Sequence, residues 1–144
     1  MQGDEVVVIE TRAGLNDTFG RGKKRNMKVR EFVKHLQNSE PLVYLSTQPA
    51  ARDPDGHPTL MSPPLASIPD VPKKPHISGA LIPQSVNLWM GRSEDGTSSG
   101  LHHDFHDNLY ILLAGAKRFR LFPPSDAKCM YVNGVIKRVH PNGR

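Results

Sequence analysis

The segment Leu101-His102-His103-Asp104, followed by Asn108-Leu109-Tyr110-Ile111-Leu112-Leu113-Ala114-Gly115-Ala116-Lys117, decides how this chain is read. It sets a histidine and a carboxylate two residues apart, and then a lysine on the far arm of a tight hairpin. Side chains alternate faces along a strand, so residues i and i+2 point the same way. If 101–105 is extended, His102 and Asp104 share a face and His103 points away. The second arm, Lys117-Arg118-Phe119-Arg120-Leu121-Phe122, puts Lys117 in line with Phe119 and Leu121, and Arg118 and Arg120 on the other face.

One imidazole nitrogen and one carboxylate oxygen on a common face can occupy adjacent positions around a single ion. Two histidines and one carboxylate with open positions suit non-haem Fe(II). A His-x-Asp pair alone is more often a solvated surface dyad, and the lysine is what changes the reading. Burying an ammonium is costly without an anion beside it. An inward Lys117 therefore points to a bound acid, whereas a lysine that snorkels to the mouth of a barrel is the bland alternative. Asn108 opens the middle strand within reach of the same ligand. Ser99, three residues before His102, offers a hydroxyl, with Thr97 or Ser98 able to take its place, and Tyr44 offers a phenol from a distant strand.

Around this segment the chain reads as a strand at 5–10, a loop at 14–22, a helix at 27–37 and a strand at 42–46. Val29, Phe32, Val33 and Leu36 form one apolar stripe at helical spacing. Ten of the thirteen prolines fall between Pro41 and Pro83, which makes 41–84 a long irregular connection with a turn of helix near 65–68. Further strands are expected at 85–90, 101–105, 108–113 and 117–122, with a weak one at 134–139. Pro123-Pro124 ends the last strong one, because proline cannot donate to a ladder. The order predicts a mainly β fold, a sandwich or barrel with flanking helices. Residues 1–144 read as a single domain: strand and helix at 1–40, the connection at 41–84, core strands at 85–144.

Composition narrows the function. The single cysteine, Cys129, excludes an internal disulfide and fits a reducing compartment. No signal peptide or bilayer-length apolar run is present, so the expected location is intracellular, cytoplasmic or nuclear, with no membrane partner. The net charge is +5, and much of the excess lies in Arg21, Lys23, Lys24, Arg25, Lys28 and Arg30. This run reads as a solvated loop leading into the helix. An acidic partner is the functional alternative, and the lack of interleaved aromatics argues against a nucleic-acid groove.

Taken together, Asn87-Leu88-Trp89-Met90-Gly91, Leu101-His102-His103-Asp104, Asn108-Leu109-Tyr110, Gly115-Ala116-Lys117 and Leu121-Phe122-Pro123-Pro124 closely resemble the JmjC (cupin-like) Fe(II)/2-oxoglutarate dioxygenases. The likeness is nearest to the small JmjC-only protein hydroxylases, which the 27–33 helix and Val43-Tyr44-Leu45 also resemble. The resemblance implies a double-stranded β-helix, here partial. It implies His102 and Asp104 as catalytic iron ligands and Lys117 as the partner of the distal carboxylate of the co-substrate 2-oxoglutarate. Ser99, Asn108 and Tyr44 become further co-substrate contacts. The implied activity is hydroxylation of a side chain in a protein or peptide substrate, with conversion of 2-oxoglutarate to succinate. Histone-lysine demethylation is the alternative inside the family, and composition leaves a homodimer open.

One departure matters. The family's second iron histidine lies on a later strand. His140 falls too early for it and looks like a substrate-side loop residue, and His106 is too close to Asp104. The chain thus reads as cut short before the distal ligand, and a non-catalytic cupin-like binding fragment is the competing expectation. A zinc site on His102, His103 and His106 fares poorly, because neighbouring strand positions face opposite ways.

Overall fold

The computed structural model describes residues 4–12, 14, 22–38, 43–92, 98–104 and 106–131. They fall into two compact units, Met1–Gly100 and Leu101–Arg144. In the first, β1 (Val6–Thr11) is rich in β-branched residues, and it becomes an inner strand of the sheet. It pairs antiparallel with β2 (Lys23–Lys28) on one side and β3 (Val43–Leu45) on the other; β3 in turn pairs with the short β4 (Met90–Gly91), giving the order β2-β1-β3-β4. Registers such as Val7↔Met27 and Ile9↔Leu45 align the apolar side chains on one face.

That face is covered by helix α1 (Val29–Gln37), which leaves β2 without a connecting loop. Its first turn is anchored by the Val29 amide, which donates to the Glu5 carbonyl at 2.9 Å. Glu31 in the first turn and Lys34 and His35 in the last match the helix dipole. The stripe read from the sequence is the one that packs. Val29 and Phe32 are buried with Val7, Ile9, Met27, Val43 and Leu45, and Val33 and Leu36 close the margin.

Where β3 ends, a side chain takes over its pairing. The Gln48 amide accepts from the Val8 N–H at 2.7 Å and donates to the carbonyls of Val8 at 2.8 Å and Ser46 at 2.9 Å. Gln48 is buried, so these backbone groups have little access to water. Gln48→Leu keeps the volume and removes every bond. Leaving buried polar groups unpaired should lower stability by about 2–3 kcal/mol, read as an earlier urea midpoint with an unchanged slope.

Three expectations are corrected here. The basic run is not a loop: Lys23, Lys24, Arg25 and Lys28 lie on β2, at the open edge of the sheet. Charge obscured the strand, although cations on an edge are a common way to prevent unwanted pairing. The helix begins at Val29 rather than Met27, because Lys28 is still extended. Of the strand expected at 85–90, a bridge at Val86 to Met61 and the start of β4 at Met90 are present. The expected helical turn near 65–68 is found as a 3-10 turn, Leu65–Ser67.

In the second unit, the stretches expected as strands at 101–105, 108–113 and 117–122 have no strand structure among the described residues. The arms do fold back. Gly115 turns with φ 82°, and the rings of Tyr110 and Phe119 meet edge to face at 5.0 Å. Their apolar side chains stay exposed, Leu113 at 76% and Leu121 at 87%. Two strands without a surface to bury against are marginal in water, so the alternation is present and its ladder is not. A 3-10 helix, Pro124–Cys129, follows the prolines. The expected strand at 134–139 and His140 lie outside the described residues. The described elements are a mostly antiparallel sheet with few helices, in line with the mainly β expectation. Among the described residues no helix is long and apolar enough to cross a membrane.

Candidate metal centre

The second unit brings together three of the residues singled out in the sequence. His102 Nε2 lies 3.8 Å from Asp104 Oδ1, as side chains two apart on extended backbone should. Asn108 Nδ2 donates to Asp104 Oδ2 at 2.8 Å. The two carboxylate oxygens therefore differ: one is held by an amide, the other faces the imidazole. Two donors bound at about 2.1 Å on adjacent octahedral positions lie about 3.0 Å apart, so a small side-chain rotation that draws these two atoms together would let a single ion take both. Both side chains are more than half exposed, 58% and 60%, which leaves room for further ligands.

Lys117 is exposed, and among the described residues its side chain makes no hydrogen bond or ion pair. The inward placement expected from alternation is not seen, because Phe119 and Leu121 on the same arm are themselves exposed and no apolar side chain is buried among the described residues of the unit. Ser99 and Tyr44 belong to the first unit. The Ser99 hydroxyl is half-buried and its Oγ lies 3.4 Å from the Gly100 carbonyl oxygen. Tyr44 is the middle residue of β3, on the face away from α1, with its ring close to Trp89 at 6.3 Å. Its ring packs against Gly91, where an added Cβ would approach ring carbon Cδ2 to 2.3 Å, so glycine is required there.

One cluster escaped the sequence reading. Asp53, Asp55 and His57 have donor atoms within 4.8 Å of one another, all exposed. Their Asp-x-Asp-x-His spacing was available as a signal. The Asp53 carboxylate already has work in the turn: Oδ1 accepts the His57 N–H at 2.8 Å and Oδ2 lies 3.6 Å from His57 Nδ1.

Comparison with known proteins fits this pattern. A family model described as "Cupin-like domain" matches residues 1–143. JmjC domain-containing protein 4 of Schizosaccharomyces pombe is 42% identical over 98% of this chain and 32% of its own length. Lysine-specific demethylase JMJ32 of Arabidopsis thaliana is 42% identical over 35% of the chain and 14% of its own. The human bifunctional peptidase and (3S)-lysyl hydroxylase JMJD7 is 44% identical over 31% and 14%. The chain thus spans about a third or less of the length of these curated relatives. No solved structure is significantly similar to it. With the family model aligned along almost every residue, and JmjC proteins as the relatives, the chain belongs to the cupin-like JmjC domain family, which has both hydroxylase and demethylase members.

Proposed function

We propose that the protein carrying this chain is an Fe(II)- and 2-oxoglutarate-dependent oxygenase that hydroxylates a side chain of a protein substrate. Dioxygen and 2-oxoglutarate are consumed, and succinate, carbon dioxide and the hydroxylated residue are formed. The observation that carries the reading is the His102–Asp104 pair, with donor atoms 3.8 Å apart and the second carboxylate oxygen held by Asn108. An imidazole nitrogen and a carboxylate oxygen are the donor chemistry that Fe(II) takes in a facial triad. The names of two relatives, a lysyl hydroxylase and a lysine-specific demethylase, support an oxygenase over a purely structural role.

Bound iron would supply the oxidative chemistry; the chain's residues bind and orient. His102 Nε2 and Asp104 Oδ1 hold the metal. Asn108 keeps Asp104 from rotating Oδ1 away. Lys117 gives a charge-assisted hydrogen bond to the distal carboxylate of 2-oxoglutarate. Asn108 has a second amide hydrogen to offer the co-substrate. The triad needs one more histidine, which the family resemblance places on a later strand. The single cysteine fits a cytoplasmic or nuclear location.

The test is an anaerobic titration of Fe(II) and then 2-oxoglutarate into the protein, followed by the weak visible charge-transfer absorption of the iron–oxoacid complex. The wild type should develop the band. Lys117→Ala should need about tenfold more 2-oxoglutarate or beyond to reach half of it, the loss of one charged hydrogen bond. No band in the wild type would argue for a non-catalytic binding fragment. An unchanged midpoint in Lys117→Ala would remove the lysine from the co-substrate site.

A further inference from the structure

The open edge of the sheet carries charge that the fold does not use. β2 spans Lys23-Lys24-Arg25-Asn26-Met27-Lys28, and its first four residues are exposed. It ends the sheet order, so it has β1 on one side and no strand on the other among the described residues. Alternation splits its cations. Lys23 and Arg25 share the face of Met27, and Lys24 shares the face of Asn26 and Lys28.

The chain itself shows what these cations can hold. The carboxylate of Asp4 is bonded by Lys28 Nζ at 3.2 Å and by the Arg30 guanidinium. The hydrogen bond from Lys28, and then the charge of Arg30, hold the Asp4 carboxyl below its usual range. Further along the same strand, Lys23, Lys24 and Arg25 have no carboxylate partner among the described residues.

We propose that the β2 edge is a docking site for an extended acidic segment of a partner protein, which adds to the sheet as a fifth strand. This goes beyond the oxygenase reading and does not depend on it. An unpaired edge offers a row of backbone donors and acceptors, and a peptide strand returns the same pattern. Lys23, Lys24 and Arg25 select the sign. They repel a second copy of β2, so self-pairing along this edge is disfavoured. They attract a strand with carboxylates on both faces, since opposite charges directly across a pair are favourable. A nucleic acid would use the same charges but neither the backbone edge nor an aromatic platform, and no aromatic residue lies on β2.

The test uses fluorescence anisotropy with three labelled probes: a peptide of about ten residues built from Glu-Glu-Val repeats, which carries carboxylates on both strand faces, its Lys-Lys-Val counterpart, and a single-stranded oligothymidine of about twenty nucleotides. Wild-type protein should bind the acidic peptide and not the basic one, with affinity falling as salt rises from about 50 to about 300 mM. Hydrogen exchange should slow at amides of β2 when the peptide is present. The combined variant Lys23→Thr, Lys24→Thr, Arg25→Thr keeps strand propensity and should weaken the peptide about tenfold or more. The proposal is overturned by failure of the wild type to bind the acidic peptide, by equal binding in the threonine variant, or by binding without slower exchange on β2. Tight oligothymidine binding with no peptide binding would overturn it in favour of a nucleic-acid surface. The probe and exchange measurements on the wild type decide the matter even if the variant folds poorly.

Discussion

Asp104→Ala is expected to remove Fe(II) binding from the second unit, lowering affinity by more than about 100-fold. Loss of a residue that merely orients a ligand already costs about 10- to 100-fold, and here the ligand itself goes. The substitution leaves His102 as a lone imidazole and takes away the negative charge that offsets the cation. Because the Asp104 side chain is well exposed, the fold should not register the change, and circular dichroism should match the wild type. Asn108→Leu supplies the graded comparison. It removes the 2.8 Å bond to Asp104 Oδ2 without touching either donor, and should cost about 10- to 100-fold. Asp53→Asn is the control for the other cluster of donors. Metal affinity measured calorimetrically under anaerobic conditions should be unaffected by Asp53→Asn. If instead Asp104→Ala keeps wild-type affinity and Asp53→Asn loses it, the ion sits in the 53–57 turn and the proposed centre is wrong.

The contrast between the two units explains which features were legible in the sequence. β1, α1 and β3 announce themselves because each has a partner nearby in the chain. Val7 and Ile9 meet Val29, Phe32, Val43 and Leu45, and period and burial agree. β2 was hidden because its cations serve the edge rather than the core. The arm at 117–122 alternates as a strand should, yet among the described residues its apolar side chains stay exposed and only the Tyr110 and Phe119 rings are seen to meet. Periodicity reports what a segment is able to bury; whether it pairs depends on other parts of a sheet. The His102–Asp104 pair was readable because it needs only two residues and local extension. The orientation of Lys117 was not, since it needs an interior. Asn108 was read as a contact to a ligand, whereas its hydrogen bond here goes to Asp104, a detail of geometry that spacing does not encode.

The second large effect is on stability. Phe32→Ala should destabilise the first unit by about 3–5 kcal/mol, the usual range for emptying a buried aromatic site. Phe32 is 1% exposed and is the largest of the fully buried side chains. It sits on α1 in the apolar cluster of described residues that holds the helix to the sheet, beside Val7, Ile9, Met27 and Leu45. A core of seven buried residues has few neighbours able to relax into the void. Domains are stable by only about 5–15 kcal/mol in total, so this single loss should take a large share, and the urea midpoint should fall by about half. Leu121→Ala deletes a comparable apolar group and should do almost nothing to stability, because that side chain is 87% exposed and leaves no cavity. It should instead lower self-association, by shrinking the exposed apolar surface of the second unit. The pair of variants separates the two units by experiment. A Phe32→Ala protein within about 1 kcal/mol of wild type, or a Leu121→Ala protein that unfolds as easily as Phe32→Ala, would mean that the folding core lies elsewhere than between α1 and its sheet.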